Sequence, residues 1–231
     1  MMEQVKKELR ALANPKKAKV LAGFFKTGKG EYGEGDIFLG ITVPETRRVA
    51  KKFSNLSLAD VRELLQSPVH EERLASLFIL VDKYNKGSRT EKKDIFDFYI
   101  QNAKSVNNWD LVDLSAAKIA GNYLLGKDKA VLYKLAKSLN LWERRIAIIA
   151  TYEFIRNKQF EDTLKISRLL LNDKQDLIHK AVGWMLREVG KRNLAAEEKF
   201  LKEHLKQLPR TALRYAIERF DSNKKNLYMK K

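Results

Sequence analysis

The sequence predicts an all-α fold, and three observations carry that expectation. Turn formers are scarce: 231 residues contain 11 glycines and 4 prolines, whereas β-rich chains consume both at every turn. Apolar residues recur at helical spacing, as at Leu74, Leu77, Phe78 and Val81 and, less strictly, at Ile146, Ile149, Ala150 and Phe154. Helix-start signals stand ahead of several such runs.

Taken in order, the first helix spans 3–12. The second, 15–26, opens at Asn14-Pro15, an N-cap followed by proline at the first helical position. Thr42-Val43-Pro44-Glu45 opens 44–53 less cleanly, and Ser57-Leu58-Ala59-Asp60 resembles a capping box with Asp in place of Glu at the start of 58–66. Further helices are expected at 69–85, 90–103, 109–125, 129–138, 141–157, 160–171, 175–190, 195–206 and 209–220. No linker is long enough to split them. Residues 1–231 therefore read as a single domain, with 1–13 as an N-terminal helix and 221–231 as a basic tail with freedom to be flexible.

Several of these helices begin alike. Arg73-Leu74-Ala75, Arg145-Ile146-Ala147, Lys180-Ala181-Val182 and Arg210-Thr211-Ala212 each place a cation before small or apolar residues, at steps of 72, 35 and 30 residues. The first step is about two periods, and Trp109-Asp110-Leu111-Val112-Asp113 opens a helix where the middle member would fall. A helix-pair repeat of this length is the signature of an α-solenoid of HEAT or armadillo type, in which stacked pairs bury their shared faces and one helix of each lines a concave surface. A right-handed stack with a basic concave groove is expected, with Arg73, Arg145, Lys180 and Arg187 facing it.

Charge narrows the partners. Lys and Arg total 46 against 29 Asp and Glu, a net charge of +17, and the pI is near 9.8. Such an excess points to a polyanion, nucleic acid first and an acidic membrane surface second; the bland alternative is a solvated basic surface. Hydrophobic residues make up 44%, enough for a core and against general disorder. The absence of cysteine excludes disulfides, thiolate nucleophiles and Cys-ligated zinc. His70, His179 and His204 are far apart, which argues against a histidine-rich metal centre and leaves carboxylate sites open; no metal and no cofactor are expected. No apolar run is long enough for a membrane span and the N-terminus lacks a secretory pattern, so a soluble, cytoplasmic protein is expected, nucleoid-associated if bacterial.

The segment 27–36 carries Gly28, Gly30, Gly33 and Gly35. It lacks the Gly-Lys-Ser/Thr ending and preceding strand of a phosphate-cradling loop, and Glu31, Glu34 and Asp36 oppose phosphate, so it reads as a connecting loop.

Four residues could carry chemistry. Trp109 and Asp113, four apart, share one helix face. Asp113 lies among Leu111, Val112 and Leu114, where a carboxylate is costly unless a partner or a function retains it. A helix-start acid bonding backbone amides is the plainer account of Asp113, as core packing is of an isolated Trp109. Trp184 follows Gly183 in mid-helix, where a glycine implies close approach to the backbone or tight helix packing. Arg145 is the groove cation, or else one half of a surface salt bridge.

Together these segments resemble a family. Phe38-Leu39-Gly40-Ile41 with Pro44, Glu45 and Arg47, then Trp109-Asp110-Leu111-Val112-Asp113, Leu141-Trp142-Glu143-Arg144-Arg145 and Lys180 through Glu188 resemble, in order from about residue 15 to 220, the AlkD-type DNA alkylation-repair glycosylases. The resemblance implies a HEAT-like solenoid gripping duplex DNA and excising N3- and N7-alkylated purines, as a monofunctional, monomeric glycosylase with no obligatory protein partner. It implies that Trp109 and Trp184 pack around the lesion deoxyribose, that Asp113 is the catalytic carboxylate, and that Arg145 helps hold the lesioned strand. Arg47, Arg73, Lys180 and Arg187 are then the expected DNA contacts. The glycine loop and the lysine-rich ending depart most from the family pattern.

The chemistry suits the residues. An alkylated purine is already cationic and leaves as a neutral base, so no leaving-group acid is required. The sugar becomes oxocarbenium-like, and a carboxylate and aromatic faces stabilise that charge. The competing class is a non-catalytic HEAT-like scaffold binding nucleic acid or protein, which accounts for charge and repeat but not for the Trp, Asp, Arg and Trp set. A helical RNA-binding repeat protein would carry a base-reading pair in every repeat, and none is found.

Overall fold

The computed structural model describes residues 1–230, which are helical with no β-strand among them; an isolated parallel bridge joins Ile37 to Val69. The chain divides into two compact units, Met1–Ser115 and a second that begins at Ala116.

In the first unit the helices are α1 (Met2–Ala11), α2 (Pro15–Phe24), α3 (Val43–Lys52), α4 (Leu58–Leu65), α5 (His70–Lys86), α6 (Arg89–Gln101) and α7 (Trp109–Ala116), which ends at the divide. Their starts follow the sequence signals. Asn14 accepts Lys17 N at 3.1 Å, Thr42 and Glu45 form a reciprocal capping box at α3, and Ser57 accepts Asp60 N at 3.1 Å. Helix α5 is the core of this unit. It is buried from His70 through Val81, and α1, α3, α4 and α6 pack on it.

Helix α2 is the exception, because none of its residues is buried. It docks instead at its ends, the first of them its opening turn. Asn14 N donates to Leu39 O at 2.8 Å, and Gly40, at φ +83°, lets the backbones approach so closely that a Cβ would meet Asn14 O at 2.2 Å. The buried carboxylate of Glu71 holds the other side of this segment, accepting from Leu39 N, Gly40 N and Ile41 N at 2.9, 2.8 and 3.2 Å.

The second unit continues α7 through a π-helical turn, Ala117–Gly121, into the short α8 (Asn122–Leu124), so the helix expected over 109–125 contains one wide turn. Then come α9 (Ala130–Ala136), α10 (Leu141–Ala150), α11 (Tyr152–Arg156), α12 (Glu161–Leu169), α13 (Asp176–Gly190), α14 (Leu194–His204), α15 (Arg210–Ala216) and α16 (Ser222–Met229). The helix expected over 141–157 breaks at Thr151, whose hydroxyl donates to Ile148 O at 2.7 Å and draws that carbonyl from the ladder. Helix α10 packs on α13, and α13 on α15. Gly183 makes the second approach possible, since a Cβ there would lie 2.4 Å from Ala212 O. The tail expected at 221–231 corrects to a helix: Asp221 caps α16 by accepting Lys224 N at 2.9 Å, and Tyr228 is buried. Lys231 lies outside the described residues.

Candidate functional site

The first unit builds the site around the opening of α7. Asn108 Oδ1 accepts Trp109 N at 2.8 Å and Asp110 Oδ1 accepts Leu111 N at 2.8 Å, so the residues flanking Trp109 close off the first turn. Both also reach one buried node. Asn108 Nδ2 donates to Asp36 Oδ2 at 3.1 Å, and Asp110 Oδ2 accepts from His70 Nε2 at 2.9 Å. His70 Nδ1 lies 3.2 Å from Asp36 Oδ2, and the Arg73 guanidinium lies 2.6 Å from Asp36 Oδ1. A guanidinium, an imidazole and two carboxylates thus meet beneath α7.

Protonation states follow from these partners. Burial opposes a charge on His70, but hydrogen bonds to Asp110 and Asp36 outweigh it and raise the imidazole above its ordinary value. Burial likewise opposes ionisation of Asp36, yet the His70 hydrogen bond, the Arg73 charge and Asn108 hold its carboxyl below the usual range. Each ring nitrogen of His70 thus faces a carboxylate oxygen, and these contacts favour the imidazolium form.

Above the node runs an aromatic stack. His70 stacks on Phe38 at 4.5 Å, Phe38 on Phe25 at 4.9 Å, and Phe25 on the Trp109 indole at 5.1 Å with only 10° between planes. Phe24, largely exposed, meets the same indole edge-on at 6.0 Å. Trp109 is half-buried, and so is Asp113 four residues on. Behind Asp113 the buried Tyr99 hydroxyl donates to Ser115 Oγ at 2.9 Å, since the Ser115 hydroxyl itself donates to Leu111 O. Burial pushes the Tyr99 phenol upward, and the Asp113 carboxylate adds to the rise.

In the second unit Trp184 is half-buried on α13, with Tyr152 of α11 tilted against it at 6.1 Å. Arg145 does not stand out as a surface cation: it is buried, and its Nη1 donates to Leu177 O at 2.5 Å. Lys180 pairs with Asp176 at 2.8 Å one turn earlier, and Arg187 is engaged by Glu218.

The expected cations therefore fare differently. Arg73 is corrected outright: it is 3% exposed, tied to Asp36 and donating to Ser67 O at 2.8 Å, so it cannot meet a phosphate. Arg47 is half-buried with its guanidinium 4.0 Å over the Phe78 ring. A run of exposed cations in the first unit had no place among the expected contacts. Lys16, Lys17 and Lys19 are exposed along α2, and Lys26 and Lys29 follow in the glycine loop. That loop is more than a connector. Gly28 N and Gly30 N donate to its own Glu31 and Glu34 at 3.0 and 2.9 Å, and Asp36 at its end enters the buried node. His70 and Arg73, one turn apart just ahead of the largely apolar run 74–81, were the available sequence signal for that node.

An all-α chain with a basic surface helix beside an aromatic and carboxylate pair defines the class. The chain belongs to the DNA alkylation repair enzyme family, whose model matches residues 5–220, and that membership carries a role in DNA alkylation repair. Among solved structures it is similar to a "Predicted DNA alkylation repair enzyme from Enterococcus faecalis", with a TM-score of 0.70 and 20% identity over 91% of this chain and 97% of that one, a likeness of fold. No curated protein matches it. None of the described helices is long and apolar enough to cross a membrane.

Proposed function

We propose that the protein is a monofunctional DNA glycosylase that removes cationic N3- and N7-alkylated purines from duplex DNA. The observation that carries this is the Trp109 and Asp113 pair: an indole and a carboxylate one turn apart, both half-buried, on a helix whose start is fixed by buried hydrogen bonds. When the glycosidic bond breaks, its electron pair leaves with the base, which becomes neutral, and positive charge develops on the sugar. Asp113 stabilises that charge and orients the water that attacks the anomeric carbon, and the water's proton passes to solvent or to the carboxylate. The π-face of Trp109 adds attraction to the same cation. In the second unit the resemblance gives Trp184 the matching aromatic role. Arg145, buried against Leu177, acts in this scheme by bracing α10 against the head of α13.

Undamaged duplex is held by the exposed Lys16, Lys17 and Lys19 and the half-buried Arg47 in the first unit, and by the half-buried Lys180 in the second. The HEAT-like character of the repeats belongs to the same proposal. It is supported by α10, α13 and α15, which carry the recurring cations Arg145, Lys180 and Arg210 and pack in series.

The test is incubation with N-methylated duplex DNA and chromatography of released bases, with Asp113→Asn in parallel. Release of 7-methylguanine or 3-methyladenine by the parent is expected, slowed by the substitution on the order of a hundredfold. No released base from the parent, or equal release by a folded Asp113→Asn, returns the protein to the scaffold class.

A further inference from the structure

The buried node and the aromatic stack converge on one side chain. Asn108 and Asp110, on either side of Trp109, are both bound into the node through Asp36 and His70. Trp109 is the member of that triplet whose side chain leaves it. The indole is then met by Phe25, whose ring runs nearly parallel to it, and Phe25 in turn rests on Phe38 and His70. The histidine thus acts twice: its two nitrogens fix the backbone around Trp109 through carboxylates, and its ring is the last plate of the stack beneath the indole. Asp36 arrives from the glycine loop and Phe25 from the end of α2, so two segments distant from α7 in sequence define where one indole stands.

We propose that His70, Asp36 and Phe25 are positioning residues for Trp109, locking its backbone and its ring so that the indole is held in place for the alkylated nucleotide. The proposal rests on the glycosylase reading for its consequence in rate, but its structural half does not. A burial role alone would not require both flanking residues of Trp109 to be engaged, nor a parallel aromatic plate under that ring. Misplacing a reacting or stabilising group by about an ångström costs up to roughly a hundredfold in rate. The effect falls on the chemical step, because undamaged DNA is gripped by lysines elsewhere.

The full chain is labelled with 5-fluorotryptophan. Its three tryptophans, Trp109, Trp142 and Trp184, give separate fluorine resonances assigned by single Trp→Phe variants. His70→Gln removes both ring donors, and Phe25→Leu removes the parallel plate while keeping an apolar filler. In each variant the Trp109 resonance should shift or broaden while those of Trp142 and Trp184 stay. Single-turnover release of 7-methylguanine should fall by roughly ten- to a hundredfold, and Kd for undamaged duplex should stay within about twofold. If His70→Gln does not fold, Phe25→Leu decides alone. An unmoved Trp109 resonance overturns the proposal, as does a moved one with parental release, or a joint loss of release and of undamaged binding. If Trp109→Ala itself releases base at the parental rate, the glycosylase role of Trp109 fails instead, and the fluorine spectra still report whether the indole was being held.

Discussion

Replacing Gly183 by alanine sets helix propensity against packing. Alanine gains about 1 kcal/mol over glycine inside a helix. Here, however, the new Cβ would lie 2.4 Å from Ala212 O and 2.5 Å from Tyr215 Cβ, where 3.4 Å begins ordinary contact, so α13 and α15 must part by roughly 1 Å. Neither neighbour is the loose end of a flexible side chain, and overpacking of this kind costs about 1–3 kcal/mol. Packing then outweighs propensity by up to about 2 kcal/mol, and at about 2–4 °C per kcal/mol for a chain of this size the melting temperature should fall by up to several degrees. Gly23, in the exposed α2, is the control: nothing lies within 4 Å of its would-be Cβ. Gly23→Ala should therefore raise stability by about 0.5–1 kcal/mol. Far-UV circular dichroism melts of both variants read the contrast directly. Trp184 is the next residue along α13, so Gly183→Ala should also slow base release, by up to roughly a hundredfold if its indole moves with the helix. If Gly183→Ala melts at or above the parent, propensity governs both sites, and the close approach of α13 to α15 has been misjudged.

Other outcomes follow from the charged groups. Burial, with Glu198 nearby, pushes the Glu197 carboxyl up to about 8; the folded chain keeps a proton that the unfolded chain releases near 4.5, so stability falls as pH rises through that window, and Glu197→Gln should leave melting unchanged at pH 4 and raise it at pH 9. His70 acts in the same direction. Its raised value stabilises the fold below the ordinary histidine range, and that contribution is lost as pH rises through the folded value, so His70→Gln should flatten the alkaline limb of the melting profile. Arg73→Ala should destabilise by on the order of 3 kcal/mol, since it strips one buried partner from Asp36, and should leave the salt slope of DNA binding unchanged. Lys19→Ala should do the reverse in fluorescence-anisotropy titrations, leaving melting intact and reducing the salt slope by about one for a lost phosphate contact.

What the sequence disclosed and what it withheld differ by range. Asn14-Pro15 and Ser57 announced α2 and α4 because caps are local, and the Trp109 to Asp113 spacing placed both on one helix for the same reason. Arg73 and Lys180 look alike in sequence, each a cation early in a long helix. They separate in the structure because Asp36, brought in by a distant loop, meets Arg73 in the interior, while Lys180 has a helix neighbour near the surface. No local pattern encodes that difference. The node joining Asp36, His70 and Asp110 was hidden likewise, its members being 34 and 40 residues apart. Helix α16 is a different case: Asp221 was an available cap, obscured by the lysines that follow it.

That α2 buries none of its residues has a consequence for motion. A helix of 10 residues has little stability of its own in water, and one held at its two ends with no buried residue between them opens at a small fraction of the global unfolding free energy. Its amides should exchange with solvent far faster than those of α5, which is buried along most of its length. The densest run of exposed lysine in the first unit therefore sits on a helix with no buried residue. Part of the free energy gained when a phosphate backbone meets that helix would go into quenching its fluctuations, and amide exchange in α2 should slow on adding duplex DNA before exchange in α5 changes at all.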